Sequence, residues 1–530
     1  MRLEQLERRA WLSEGAAARA QRAPLTHDYP ALVRAARVYD VAQVTPVEVA
    51  PKLSARLGNR VLLKREDLQP VYSFKLRGAY NKIAQLEPAA RARGVICASA
   101  GNHAQGVALA ASKLGIPALI VMPRTTPSIK VEAVQALGGQ TLLHGDSYDE
   151  AYDEAQRLAQ ARGLSFVHPY DDPLVIAGQG TVGKEILEQC PVPLHAIFVP
   201  AGGGGLLAGV AAYVKALRPE IRVIGVEPED AACLYAAFEA GRRVVLDQVG
   251  IFADGVAVKQ VGEEPFRVAQ QHVDAVMTVS VDEICAAISD IFRDNRSLAE
   301  PAGAVALAGL KKYVEQTGVR EQTLLAIESG ANVNFDRLRH IAERAELGEH
   351  REALLAVTIP ERPGSFREFC GLLGRRSITE FNYRFADASS AHVFAGVQLE
   401  EGEAEKQSLL ARLQDAGFGV VDMSANEMAK VHVRYMVGGR AFRVRDEVLF
   451  RFEFPERPGA LLKFLDSVGS RWNISLFHYR NHGAAYGRVL VGLQVPEGER
   501  ADCRAAFDKL HYEYQEETDN PAYQLFLGSA

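Results

Sequence analysis

Between residues 60 and 345 the chain alternates short apolar runs with amphipathic stretches of helical period, and no other feature narrows its possible folds so far. The expected strands are Val95–Ala98, Ala118–Met122, Gln140–Leu143, Phe166–His168, Ile197–Val199, Val223–Val226, Val276–Val279 and Leu324–Ile327. Helical patterns lie between them, for example His103–Leu114, Ser128–Leu137, Tyr148–Arg162 and Val281–Arg293. Strands that alternate with helices of this length pair in parallel, and helices cover both faces of the sheet. The fold class expected is therefore α/β. Ligands of such sheets bind beyond the C-terminal ends of the strands, so the turns from strand into helix are where chemistry belongs.

The flanks differ. Before about residue 60 the chain reads as helices and a proline-punctuated arm, with M-R-L-E-Q-L-E-R-R-A-W-L as a charged amphipathic helix lacking the apolar core of a secretory leader. A charged stretch at Glu343–Glu352 reads as a helix end and linker. After it comes an internal repeat. The quartet Glu361-Arg362-Pro363-Gly364 returns as Glu456-Arg457-Pro458-Gly459, and Phe381-Asn382-Tyr383-Arg384 returns as Phe477-His478-Tyr479-Arg480. Each copy is expected to be a small βαββαβ-like module, with Val393–Leu399 and Val489–Val495 among its strands. The expected domains are residues 1–348, with a smaller subdomain at about 65–170, then 349–440 and 441–530.

Composition removes several function classes. The net charge of −6 over 530 residues offers no basic stripe, so no nucleic-acid partner is expected. Six scattered cysteines form no metal-ligand spacing and no disulfide framework, which fits a reducing cytoplasm and no metal. Pro191–Val214 carries no formal charge with His195 neutral, but Pro200 and four glycines interrupt it. It reads as buried strand, loop and helix, and no membrane segment is expected.

Four turns can carry chemistry. In Lys64–Tyr80 a single Lys75 lies between Phe74 and Leu76. It is either a surface lysine or a desolvated amine whose lowered pKa suits Schiff-base chemistry. Ser99-Ala100-Gly101-Asn102-His103 opens a helix, either as an ordinary N-cap or as N–H groups awaiting an anion. Gly202-Gly203-Gly204-Gly205-Leu206 follows a buried strand. A turn needing positive φ explains one or two of its glycines, and a phosphate nest explains four. Ser329, at the end of the last strand, is a ligand contact or the cap of a helix from Asn332.

Taken in order, S-F-K-L-R-G-A, S-A-G-N-H-A-Q-G, the G-G-G-G-L loop, E-P-A-G-A at Glu300–Ala304 and E-S-G-A-N resemble the threonine and serine dehydratases among the fold-type II pyridoxal-phosphate enzymes. The likeness covers about residues 25–345, and the C-terminal repeat resembles the paired ACT-like α+β regulatory modules of that family's allosteric branch. Ala201 departs from the Ser or Cys that relatives often carry before the glycines. The resemblance implies pyridoxal 5′-phosphate held by Lys75, its phosphate by Gly202–Leu206, its 3′-oxygen by Asn102 and its ring nitrogen by Ser329. It implies a substrate carboxylate at Ser99, Ala100, Gly101, Asn102 and His103. The implied reaction turns L-threonine, with L-serine a poorer substrate, into 2-oxobutanoate and ammonia at the start of isoleucine synthesis. The implied assembly is a cytoplasmic homotetramer, with isoleucine as inhibitor and valine as activator. Phe381, Tyr383, Arg384, Phe477, Tyr479 and Arg480 are the residues expected at an effector pocket or module interface. The alternatives are a serine dehydratase or racemase of the same fold, a non-catalytic amino-acid sensor, and a repeat that serves only oligomerisation.

Overall fold

The computed structural model describes residues 11–13, 25–374, 376–385, 389–436, 441, 444–455, 460–468, 471–480, 486–521, 523 and 527. The chain divides into two compact units, Met1–Ala345 and Glu346–Ala530.

The first unit holds strands β1 (Trp11–Ser13), β2 (Val47–Val49), β3 (Arg60–Arg65), β4 (Val95–Ala98), β5 (Ala118–Met122), β6 (Gln140–Leu143), β7 (Ser165–Phe166), β8 (Ala196–Pro200), β9 (Arg222–Pro228), β10 (Ala275–Val279) and β11 (Thr323–Glu328). They form two sheets. The larger runs β1-β10-β9-β8-β11-β3-β2, parallel in its five central strands and antiparallel at both edges. The smaller, β6-β5-β4-β7, is parallel throughout.

The continuous apolar runs follow from burial on both faces. In β8, Ala196 and Phe198 join one core while Ile197 and Val199 join the core on the opposite face. In β4, Val95 and Cys97 divide from Ile96 and Ala98 in the same way. Five helices position the site: α1 (Lys75–Ile83), α2 (Asn102–Leu114), α3 (Pro173–Gln189), α4 (Gly205–Leu217) and α5 (Pro301–Thr317). Pro191–Val214 is indeed strand, loop and helix, and no described helix is long and apolar enough to cross a membrane.

Three expectations need correction. Trp11 and Leu12, read as part of a helix, pair with β10 as strand; residues 1–10 lie outside the described residues. Val61–Leu63, not among the expected strands, is the middle of the buried strand β3. The strand expected at Phe166–His168 ends at Phe166, because the His168 ring turns back to accept N–H bonds from Tyr170 and Asp171.

The second unit is one antiparallel sheet of eight strands: β12 (Glu352–Pro360), β13 (Ile378–Arg384), β14 (Ser390–Gln398), β15 (Gly419–Asp422), β16 (Glu447–Pro455), β17 (Asn473–Arg480), β18 (Tyr486–Gln494) and β19 (Glu513–Glu516). Helices α6 (Ser365–Leu373), α7 (Glu403–Asp415), α8 (Ala460–Val468) and α9 (Arg500–Asp508) complete two β-α-β-β-α-β copies. The copies join where β13 pairs with β17, Phe381 opposite Tyr479 and Tyr383 opposite Phe477. A short helix at Glu427–Val431, absent from the repeat as read, follows the first copy.

Candidate active site

Lys75 is the first residue of α1. The loop before it is stitched to the end of β11. Phe74 N–H donates to the Ser329 carbonyl at 3.3 Å, Ala331 N–H to the Tyr72 carbonyl at 2.9 Å, and Ser73 bridges Gly330. The half-buried amine donates to the Pro169 carbonyl at 3.1 Å and lies 5.3 Å from the Phe74 ring centroid. Burial lowers its pKa to about 8, against the opposing pull of Glu300. That is the direction its apolar flanks predict.

Two residues further on, Arg77 is fully buried and paired with both Glu66, at 2.8 Å, and Glu185, at 2.6 Å. Lys64 also pairs with Glu185 at 2.6 Å. This quartet fastens α1 to β3 and α3.

Asn102 is not a helix cap. The N-cap of α2 is Gly101, with no side-chain cap bond. The Asn102 amide instead donates to Glu300 Oε1 at 2.5 Å and accepts from Asn332 Nδ2 at 2.7 Å. His103 is 4% exposed, bonded through Nε2 to the Val167 carbonyl, and lowered by burial to about 3. It is a neutral, fixed ring at working pH.

The glycine loop links β8 to α4. Only Gly204 has positive φ, at 89°. The others are required by close approach: a Cβ on Gly202 would lie 2.8 Å from Val256, one on Gly203 2.2 Å from the Tyr170 ring, and one on Gly205 3.0 Å from Tyr170. Packing therefore accounts for all four glycines, and the anion argument passes to the helix behind them. Gly204 N-caps α4 without a side-chain cap, so the first-turn N–H groups face the loop unprovided with an anionic partner from a cap.

Ser329 directly follows β11, is 4% exposed, and donates to the Ala302 carbonyl at 3.3 Å. No helix starts at Asn332: residues 331–334 are irregular and a 3-10 turn begins at Phe335, so Ser329 caps nothing there.

Glu300 and Glu227 are among the buried acids that the sequence reading did not single out. Glu300, quoted only as part of a motif, is raised to about 7 by burial and by Asp254. Glu227, at the end of β9, is raised to about 8 by burial and accepts N–H bonds from Leu234 and Tyr235. A carboxylate inside an otherwise apolar run was the available signal for Glu227.

In the second unit, Phe381 and Phe477 are buried with ring centroids 5.3 Å apart, and Tyr383 donates to Glu361 at 2.6 Å. Arg384 pairs with Glu447 and donates to the Leu527 carbonyl at 2.7 Å. Tyr479 stands in the same seam, as does the backbone of Arg480. A crevice beside the seam is lined by Arg362, Phe366, Arg367, Trp472 and Asn473. The second quartet, Glu456–Gly459, lies outside the described residues.

Comparison with known proteins matches three segments of the chain. Residues 38–330 match the family model of pyridoxal-phosphate dependent enzymes, and residues 343–433 and 438–527 each match the C-terminal regulatory domain of threonine dehydratase. The biosynthetic L-threonine dehydratase IlvA of Burkholderia multivorans is 58% identical over 505 residues, covering 95% of this chain and 99% of that protein. Among solved structures, the processed form of threonine deaminase isoform 2 from Solanum lycopersicum is 47% identical, with TM-score 0.59, covering 63% of this chain and 95% of that one. Maize serine racemase is 33% identical, with TM-score 0.56, covering 61% of this chain and 98% of that one.

Proposed function

This chain belongs to the biosynthetic threonine dehydratase family of pyridoxal-phosphate-dependent enzymes, and on that premise we propose how its residues divide the work. It is a threonine ammonia-lyase, converting L-threonine to 2-oxobutanoate and ammonia on the way to isoleucine. The observation that carries the assignment of its centre is the Lys75 loop bonded to the end of β11 at Ser329 and Gly330, with the amine donating to the Pro169 carbonyl next to Tyr170, the residue on which the glycine loop packs.

The residues fit the cofactor. An uncapped helix N-terminus behind Gly202, Gly203, Gly204, Gly205 and Leu206 suits a phosphate. Lys75, lowered to about 8, supplies a nucleophilic amine, and Asn102 and Ser329 supply hydrogen-bonding groups for the ring. When bound, pyridoxal phosphate supplies a conjugated sink for the charge that develops at the substrate Cα.

The chain does the rest. The stretch from Ser99 to His103 takes the substrate carboxylate at the N-terminus of α2, which has no side-chain cap; within it the Gly101 N–H already donates to Ser99 Oγ at 3.3 Å. Lys75 removes the Cα proton, since an amine near 8 is partly neutral at working pH and still basic. Ser329 would offer the ring nitrogen a neutral hydroxyl instead of a carboxylate. The serine dehydratase and racemase readings are not favoured, because two regulatory modules follow the catalytic unit.

The modules, taken as 349–440 and 441–530, bind isoleucine as inhibitor and valine as activator, and the working assembly is a cytoplasmic homotetramer. Phe381, Tyr383, Arg384, Phe477, Tyr479 and Arg480 are the residues proposed to couple effector binding to the seam. The test is threonine-dependent 2-oxobutanoate formation with and without isoleucine. Marked preference for serine, or indifference to isoleucine, overturns the corresponding part.

A further inference from the structure

Glu300 stands just before α5, is 4% exposed, and turns its carboxylate away from its own helix into the loops of the centre. Oε1 accepts from Asn102 Nδ2 at 2.5 Å, and the backbone N–H of Asn332 also donates to the carboxylate. The Glu300 N–H donates to the Gly330 carbonyl at 3.1 Å. A Cβ on Gly330 would lie 2.6 Å from Glu300 Oε1, so the carboxylate packs directly on the residue after Ser329. The charged groups around it are Asp254, Lys130 and Lys75.

Asn332 closes the circuit. Its side-chain amide donates to Asn102 Oδ1 at 2.7 Å and to the Val71 carbonyl at 2.8 Å, four residues before Lys75. The Asn102 amide is therefore held at both ends: its oxygen accepts, and one of its two N–H bonds is committed to Glu300. A flip would set donor against donor at Asn332 and, with Glu300 ionised, acceptor against acceptor at Glu300. One N–H of Asn102 is left over, in a fixed direction.

We propose that Glu300 is a positioning residue that locks the Asn102 amide so that its remaining N–H is presented to the oxygen on the cofactor ring. The inference rests on the reading of Asn102 as a cofactor contact, and it adds a residue to which the family resemblance assigns no role. It also gives Asn332 a part, as the donor that fixes the other end of the amide. A purely structural Glu300 would stabilise the loops without acting through Asn102, and the two cases separate in a double-mutant cycle.

The experiment titrates the full-length apoprotein with pyridoxal phosphate for the parent, Asn102→Ala, Glu300→Ala and the double variant, recording cofactor affinity and melting temperature. Each single variant is expected to bind about tenfold more weakly, the scale of one hydrogen bond to a charged group. The double variant is expected to fall within twofold of either single one, because both remove the same contact. Multiplying losses, near a hundredfold, or an unchanged affinity in Glu300→Ala overturn the proposal. If Glu300→Ala does not fold, Glu300→Gln and Glu300→Asp decide: Gln keeps an acceptor at the same reach and is expected within threefold of the parent, whereas the shorter Asp is expected to lose about tenfold. Equal behaviour of the two overturns it. A parent chain that does not bind the cofactor, or an Asn102→Ala variant that binds it unchanged, defeats the reading of the site itself; a parent that binds and Glu300 variants that are indifferent defeat this inference alone.

Discussion

The ε-amine of Lys75 donates to the carbonyl oxygen of Pro169 across 3.1 Å, tying the first residue of α1 to the chain just beyond β7. The contact holds the amine in place and leaves its charge without a carboxylate in contact. Burial then dominates, and the amine sits near 8 instead of its ordinary value above 10.

That shift has a sign that stability measurements can read. Between about pH 8 and pH 10.4 the folded apoprotein binds fewer protons at Lys75 than the unfolded chain. Stability of the apoprotein therefore rises with pH across this window and is lowest, from this group, below it. Lys75→Met removes the rise. The variant apoprotein is expected to melt higher than the parent at pH 7, with the gap closing toward pH 10, while threonine turnover is lost. Parallel melting curves at all pH values would contradict a desolvated Lys75.

The buried quartet of Lys64, Glu66, Arg77 and Glu185 balances two positive against two negative groups without solvent. Arg77→Met leaves one carboxylate uncompensated, a loss of about 3–5 kcal/mol. The midpoint of urea unfolding should fall accordingly at unchanged slope. Arg77→Lys keeps the charge but not the forked geometry, and should lie between the two. A loss below about 1 kcal/mol for Arg77→Met would show that the quartet does not fasten α1.

What could be read from the sequence, and what could not, divides along this same quartet. β4, β5 and β8 are buried on both faces, so local apolar runs reveal them. The turns after β4, β8 and β11 were found for the same reason. Lys64-Arg65-Glu66-Asp67 reads locally as a solvated charge run, yet all four are buried. Their partners Arg77, Glu185 and Glu328 are assembled only by the fold, up to 263 residues away in sequence for the Arg65–Glu328 pair at 3.1 Å. Glu300 was overlooked likewise, since its contacts Asn102 and Asn332 come from two other loops.

Glu361 joins the two copies of the repeat: Tyr383 OH donates to it at 2.6 Å and Asn473 Nδ2 at 2.8 Å. Burial raises its carboxyl above the ordinary range. If the seam transmits the effector signal, Glu361→Ala should move the isoleucine inhibition midpoint by at least about fivefold, the low end of ordinary allosteric coupling, and leave turnover without isoleucine unchanged. An identical inhibition curve would detach the seam from regulation.

Gly203 gives the sharpest test of the glycine loop. A Cβ there would lie 2.2 Å from the Tyr170 ring, and that ring is not free to yield. It packs edge-on against His168 at 4.7 Å, and His168 Nδ1 accepts the backbone N–H groups of Tyr170 and Asp171. In Gly203→Ala the backbone must therefore retreat, carrying the first-turn N–H groups of α4 with it. Cofactor affinity is expected to fall at least about tenfold, by the loss of charge-assisted hydrogen bonds to the phosphate. Gly101→Ala is the control, because a Cβ at Gly101 meets nothing within 4 Å. It should bind the cofactor within about twofold of the parent, as expected of a substitution that meets neither strain nor overpacking. Equal losses in both variants would mean that a general intolerance of side chains around the centre, and not the displacement of the loop, weakens binding.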